Sequence, residues 1–414
     1  MKSKNLVNKK MIPFRSFPFF EVLFELFLVF PLCMNAAPQV DSLPESIPVG
    51  AQGKFHIQGI VMDKARRYLY ISYTTQLVKL DLNGRVVGSV SGLLGHLGCI
   101  AYNPEDGKVY GSLEYKNDEI GRDISDRSNG HRESATQFYV AVFDVNKITH
   151  TGMDGLRDSV MKTVCLPTVK RFYEDSSTIN GVTREHVYGC SGIDGVTFGP
   201  RFGSKGGEIF LTVALGIYGD TVRTDNDYQV LLQYPWPAVM QYARPLDLNR
   251  MHTEGPSKPA ATYFAYTGNT TYGVQNLEYD AFSNQWFMAV YKGKKKRFPN
   301  YRLFAIDNSV KPRRRLLSGY GGERGLVVEL GKTGLYDASS GVWGWNFPYG
   351  NMGMQSVGNG CFYFFHPDKN NKDGYSGRVE LYRYEPDTKI PFVRVSHDGS
   401  FKVDHQQKNI NIIP

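Results

Sequence analysis

The stretch HIQGIVMDKARRYLYISYTTQLVKLDL, residues 56–82, constrains the whole chain because the chain repeats it. It reads as three short runs, IQGIVMD, YLYISY and LVKLDL, parted by DKARR and TTQ. Alternating, aromatic-rich runs of this length, broken by Asp, Lys and Gly, are strand signals. A second copy opens at His96 (HLGCIAYN, KVYGSLEY, TQFYVAVFDV). A third opens at Gly192 (GIDGVTFG, EIFLTVAL, YQVLLQYPW). The fourth and fifth open at Gly273 (GVQNLEYD, QWFMAVY, YRLFAID) and Gly353 (GMQSVGNG, CFYFFHP, RVELYRY). Fourth strands are drawn at RVVGSV, TVCLPTV, GLVVEL and FVRVS, and only the third copy lacks an obvious one.

Units of four antiparallel strands repeated along a chain predict an all-β fold, a β-propeller. The starts at 56, 96, 192, 273 and 353 are unevenly spaced. Loop-like sequence such as SDRSNGHRES and NRMHTEGPSKP fills the wide gaps, so five blades is the expected count. Seven or eight blades is the alternative, and a β-sandwich is the competing architecture.

Residues 1–37 read as an export signal. Lys2, Lys4, Lys9, Lys10 and Arg15 precede the apolar run FPFFEVLFELFLVFPL, and Asn35-Ala36-Ala37 offers a small-residue cleavage site. Glu21 and Glu25 interrupt that run. No later stretch is apolar enough to cross a membrane as a helix. The expectation is an exported protein (periplasmic, cell-surface or secreted), with residues 38–414 forming one propeller domain. The formal charge is +8, and removing five basic and two acidic leader residues leaves +5, a mildly basic surface that favours anionic partners.

Of the remaining cysteines, Cys99 and Cys361 read as buried thiols, and Cys165 and Cys190 are a candidate disulfide pair. The 26 tyrosines and 25 phenylalanines concentrate in the strands, where flat rings fill the wedges between blades. Asn269-Thr270-Thr271 is a glycosylation sequon. No GxxxxGK[ST], HExxH, GxSxG or EF-hand pattern is present. GYGGERG (319–325) precedes no helix and reads as a turn. The basic run KGKKKR (292–297) lacks interleaved aromatics, so it reads as a solvated loop rather than a nucleic-acid patch.

Propeller geometry adds a candidate site that no motif supplies. Innermost strands line the central channel, so equivalent residues from different blades converge there. Aligning the copies places Gln58, Gly98, Asp194, Gln275 and Gln355 in one register, with His56 and His96 two places upstream. The second strands end at Glu114, Tyr115, Lys292 and His366. His56, His96, Glu114 and Tyr115 form a candidate acid/base cluster, because histidine titrates near neutrality. Gln58, Asp194, Gln275, Gln355, Lys292 and His366 are candidate ligand contacts. Trp343 and Trp345 are a candidate stacking platform, with packing beneath a loop as the plainer role. Loops 116–136, 216–227 and 292–300 add Arg122, Arg127, His131, Arg132, Asp220 and Arg223 to the same face. One carboxylate among three amides offers no strong metal site. No cofactor is required, and a weak Ca²⁺ site would need carbonyls and water.

The five copies resemble secreted β-propeller proteins in general, and they match no specific family. Propeller glycosidases with five blades place three acids around the cavity. Here only Asp194 holds such a position, with Glu114 and Glu278 nearby, which departs from acid-pair hydrolysis. Some propeller enzymes that act on acidic polysaccharides, mostly with more blades, use His, Tyr and Arg instead, and His56, His96, Tyr115 and the loop arginines resemble that scheme. The reading is an exported propeller that binds an anionic oligo- or polysaccharide on its loop-rich face. Cleavage, as a polysaccharide lyase or glycoside hydrolase, stays open. A non-catalytic protein- or surface-interaction propeller, and a Ca²⁺-dependent phosphoester or lactone hydrolase, are the alternatives.

Overall fold

The computed structural model describes residues 43–128, 135–369, 375–386 and 388–396. The proposed leader, His131 and Arg132 lie outside the described residues.

Five blades follow one another in chain order. Blade one pairs Ile57–Met62, Tyr68–Tyr73, Gln76–Asp81 and Val86–Ser91. Blade two pairs His96–Asn103, Lys108–Tyr115, Gln137–Phe143 and Met161–Cys165. Blade three begins with Cys190–Pro200, Ile209–Ile217 and Tyr228–Pro235. Blade four holds Thr271–Asp280, Gln285–Tyr291 and Leu303–Asp307, and blade five holds Met354–Gly358, Cys361–Pro367 and Gly377–Tyr384.

Three outer strands differ from the sequence-based expectation. The third blade does have a fourth strand, Ala261–Tyr266, which follows a 25-residue excursion and pairs with Tyr228–Pro235. The run GLVVEL serves blade three, not blade four. Arg324–Val328 lies parallel to Ala261–Tyr266 and antiparallel to Arg313–Leu316, and the end of the run touches blade four, where Leu330 bridges Ile306 and Glu329 O accepts from Asp307 N. An apolar alternating run fits either exposed edge, so sequence cannot choose between them. Blade four instead closes on Trp345, whose backbone bridges Leu303. The run TVCLPTV splits into Met161–Cys165 and the helix Pro167–Glu174, because Pro167 suits a first helical turn.

The ring closes through its two ends. Ser46–Val49, upstream of blade one, pairs with the first half of Gly377–Tyr384. Phe392–Arg394 pairs with the second half. Early and late segments thus form one composite outer strand of blade five, and no edge of Gly377–Tyr384 is left open.

Each interface between neighbouring blades has its own apolar core, five in all, which fixes the blade count. Period-two alternation builds them. In Gln137–Phe143, residues Phe138, Val140 and Val142 face blade three, while Tyr139, Ala141 and Phe143 face blade one. Both faces of a middle strand are buried, so the strand reads as a continuous apolar run. Cys165 and Cys190 fall in different cores and are free thiols, as are Cys99 and Cys361. The candidate disulfide does not form. Asn269 is also internal, 1 % exposed, and its amide donates to the carbonyls of Tyr218 and Asn226 at 3.2 and 3.3 Å. The sequon is therefore closed to glycosylation in the folded chain.

Candidate functional site at the upper channel mouth

The inner strands of blades one to four all break register at the same place. The shifts fall between Ile57 and Gly59, Leu97 and Ile100, Ile193 and Val196, and Val274 and Asn276. Gln58, Gly98, Asp194 and Gln275 lie in these four bulges. A bulge inserts an extra residue and re-aims the side chain next to it, a recurrent device beside functional sites. Neighbouring blades satisfy the bulge carbonyls: Ser72 Oγ donates to Gly98 O, and Ser112 Oγ to Asp194 O, both at 2.7 Å. From across the channel Asn276 Nδ2 donates to Gln58 O at 2.8 Å.

Blade five departs from this ring. Its irregularity lies later, between Ser356 and Gly358, and Gln355 sits in a regular pair with Tyr363. Gln355 Oε1 accepts from Met62 N at 2.7 Å, at the opposite end of the channel. Gly353 packs on Ile60, so the fifth copy is displaced along the axis relative to the sequence alignment. Asn351, bonded to Tyr291, is the residue blade five brings near the upper mouth.

At that mouth the expected histidines meet. Gln58 Nε2 lies 3.0 Å from Nε2 of both His56 and His96, and 3.1 Å from Thr74 Oγ1. An amide nitrogen carries two hydrogens, so three acceptors compete for them. On its other side His96 Nδ1 lies 3.2 Å from Glu114 Oε1 and 3.9 Å from Asp194 Oδ1. The Glu114 carboxylate also accepts from Ile193 N at 3.0 Å and pairs with Lys116 Nζ at 2.7 Å. Lys116 donates further to Ser191 O at 2.7 Å. Gln275 Nε2 donates to Asp194 Oδ2 at 3.1 Å.

Two glycines make this approach feasible. A Cβ on Gly192 would stand 2.0 Å from Glu114 Oε2, and one on Gly98 would stand 2.5 Å from Ser112 Oγ and 2.9 Å from Asp194 Oδ1.

The electrostatics follow from burial and pairing. Burial alone would lower the His96 pKa, but its bond to Glu114 and the charges of Asp194 and Glu114 outweigh this and raise it. Burial pushes Glu114 up, and Lys116 and His96 pull it below its ordinary value. Burial raises Asp194 well above the usual carboxylate range, with Glu114 adding to the rise and His96 opposing it. A histidine with a raised pKa thus stands beside an acid that holds its proton toward neutrality.

Lys116, Thr74 and Asn276 were not foreseen as part of this cluster. Lys116 had a readable signal, since it lies two residues beyond Glu114 and so on the same side of an extended chain. Asn276 reaches the channel only because of the bulge.

Other expected residues lie elsewhere. Tyr115 alternates away from Glu114 into the core between blades one and two, where its hydroxyl donates to Leu93 O at 2.6 Å. Trp345 is 1 % exposed in the core between blades four and five. Trp343 stacks on Tyr336 at 4.6 Å near the outer rim, away from the channel. Arg223 is buried against Asp225 and the carbonyls of Glu185 and His186. The basic run is only partly solvated: Lys295 is 4 % exposed and pairs with Asp227 at 2.5 Å.

Lys292 and His366 do lie on the upper face. His366 stacks on Tyr349 at 3.6 Å. Lys292, Arg302, Tyr291, Tyr349 and Asn351 line a cavity of about 400 Å³ between blades four and five. Tyr291 joins this cavity to the cluster, because burial and then the nearby Asp194 carboxyl push its hydroxyl up to about 12. Among the described residues, no group of three or more His, Cys, Asp or Glu side chains is arranged to hold a metal ion. No described helix is long and apolar enough to cross a membrane.

No protein-family model matches the sequence, and no curated protein matches it significantly. Among solved structures, the Dos1 propeller aligns over 84 % of this chain and 72 % of its own, at 9 % identity and a TM-score of 0.31. The Cps50 (Swd1) β-propeller domain of Myceliophteria thermophila aligns over 81 % and 99 %, at 8 % identity and 0.31. An oligogalacturonate lyase in complex with manganese aligns over 80 % and 77 %, at 10 % identity and 0.28. By its own strand pairing, the chain is a five-bladed β-propeller.

Proposed function

We propose that this propeller is an exported protein whose upper channel mouth binds an anionic oligosaccharide, with His96 as the proton acceptor in cleavage of the chain by β-elimination. The observation that carries this reading is the His96–Glu114 couple, 3.2 Å apart, with the far nitrogen of His96 aimed at the Gln58 and His56 side of the channel. A carboxylate on Nδ1 fixes the tautomer and leaves Nε2 as the base. In the proposed step, Nε2 takes the proton from the carbon next to a sugar carboxylate. The C–H electron pair becomes the new carbon–carbon double bond. The neighbouring carbon–oxygen bond breaks, and the departing oxygen takes the proton of the Asp194 carboxyl. Elimination also needs a cation against the substrate carboxylate. Lys292 and Arg302 serve, since neither has an acidic partner among the described residues and both line the adjoining cavity.

The test is a thermal-shift and calorimetric screen of the purified protein against oligogalacturonate, alginate oligomers and neutral cello-oligosaccharides. It is followed by ultraviolet detection of unsaturated product. Acidic ligands should raise the melting temperature by mass action. His56→Ala/His96→Ala should lose turnover, and Lys292→Ala/Arg302→Ala should lose the preference for acidic chains. A cooperatively folded protein that binds no glycan, or a histidine variant with unchanged binding and turnover, would refute the assignment.

A further inference from the structure

The other end of the channel holds a second cavity, of about 400 Å³, where the inner strands of all five blades end. Glu278 of blade four reaches into it from the wall. Its Oε1 accepts from Ser356 N at 2.9 Å, and its Oε2 accepts from Thr197 Oγ1 at 3.3 Å. Four buried carboxylates of this protein each face a Lys or Arg, while Asp194 faces His96 and Asp280 is held by Ser356 Oγ and Ser283 N. Glu114 has Lys116, Asp225 has Arg223, Asp227 has Lys295 and Arg297, and Glu380 has Arg378 and Arg394. Glu278 has no such cation among the described residues, and the space before it is open cavity with mostly apolar walls.

Tyr102, Phe198 and Tyr279 supply aromatic surface to that cavity. A carboxyl group at the back of an aromatic-lined cavity matches an organic ammonium ion, whose charge the carboxylate and the ring faces both attract. Of the charged groups at the rim, Asp63 is occupied by the backbone N–H groups of Arg67 and Tyr68, and Arg66 is turned onto the carbonyl of Val357 at 2.6 Å. Lys64 and Glu105 are of opposite sign. Asp280 lies behind Glu278 and is held by Ser356 Oγ at 2.7 Å.

We propose that this lower cavity is a binding site for a small organic amine, with the ammonium group paired to Glu278 and the carbon body against Tyr102, Phe198 and Tyr279. The site is independent of the upper mouth. Burial, followed by the charge of Asp280, holds the empty carboxyl protonated, up to about 8, against the opposing bonds from Ser356 and Thr197. An arriving cation makes the ionised form favourable, so Glu278 gives up its proton to solvent. At pH 7 that release approaches about one proton per site.

The probe is benzylamine, titrated into the purified protein by calorimetry at pH 7 in phosphate and in MOPS, whose protonation enthalpies differ and so count protons. Benzyl alcohol is the neutral control. Saturable one-to-one binding, near-unit proton release, and at least tenfold weaker binding of benzyl alcohol are expected. Glu278→Gln, which keeps both hydrogen bonds, should weaken benzylamine at least tenfold and abolish proton release. His56→Ala/His96→Ala should leave the titration unchanged, which separates this site from the upper one. The proposal is overturned if benzylamine does not bind, if benzyl alcohol binds equally, or if Glu278→Gln binds as the native protein does. If that variant does not fold, the native protein decides alone: binding without proton release overturns the proposal.

Discussion

Replacing Glu278 by glutamine isolates a single ionisation whose effect on stability has a defined sign. The native carboxyl titrates at about 8 against an ordinary value of 4.5, because burial, and then Asp280, disfavour its charge. A folded-state pKa above the unfolded one means that the native state holds a proton the unfolded chain releases. The associated stability is complete below about pH 4.5 and is lost as pH rises toward 8. The loss is about 1.4 kcal/mol per pH unit once the unfolded group is ionised, or about 2.5 kcal/mol between pH 5 and pH 7. Glutamine occupies the same volume, accepts from Ser356 N, and can donate to Thr197, whose hydroxyl turns to receive it. It does not titrate. At about 2.1 cal/mol/K per residue, unfolding this 414-residue chain carries an entropy near 0.9 kcal/mol/K. The melting temperature of Glu278→Gln relative to the native protein should therefore climb by about 3 °C from pH 5 to pH 7. Paired calorimetric scans across that range measure it. A difference that stays flat with pH would mean that Glu278 ionises normally in the folded protein, and the argument from its burial would fail.

Three further outcomes follow from named contacts. Glu114→Ala strands the buried Lys116 ammonium, which keeps Ser191 O and a 3.5 Å approach to Asp118, and should cost about 3 kcal/mol in denaturant unfolding. Glu114→Gln/Lys116→Met should recover part of that loss, and no recovery would argue against a charge effect. In the native protein Cys99, Cys165, Cys190 and Cys361 should all resist a thiol-specific aromatic disulfide and react only on unfolding, since burial pushes the first three to about 12, 11 and 12 and all four are enclosed. Intact mass of protein secreted from a eukaryotic host should find no glycan on Asn269, and a glycosylated, folded product would contradict its enclosure.

The local signals survived into the fold where a residue's neighbours are set by its own strand. The repeated runs became the first three strands of each blade, because alternation and β-branched or aromatic content state which segments extend. His56, His96, Gln58, Asp194 and Gln275 could be grouped from alignment alone, since copies of one motif around an axis bring like positions together. Glu114 joined them because second-strand ends share that face. Tyr115 could have been excluded by the same alternation that placed Glu114, as adjacent strand residues point to opposite sides.

What failed did so where pairing or register is a non-local choice. The run 325–330 had the composition of a strand, and its partner was decided by which blade presented a free edge. Ser46–Val49 carries little strand signal, and it pairs only because blade five leaves an edge that the start of the chain can reach. Gln355 matched the others in spelling. Blade five lacks their bulge at that point, and a displacement along the axis sent its amide to the far mouth. Trp343 and Trp345 suggested a platform by type, and the closing edge of blade four took Trp345 into its core.

By itself, the sequence determined that this chain is all-β and repetitive, with five units the expected count, because strand periodicity and turn chemistry act over a few residues. The tertiary structure alone decided which carboxylates meet cations, which amides face the channel, and that Glu278 stands opposite a cavity instead of a lysine. Those outcomes depend on how five wedges close into a ring. Closure sets distances between residues tens to hundreds of positions apart, and burial then sets their charge.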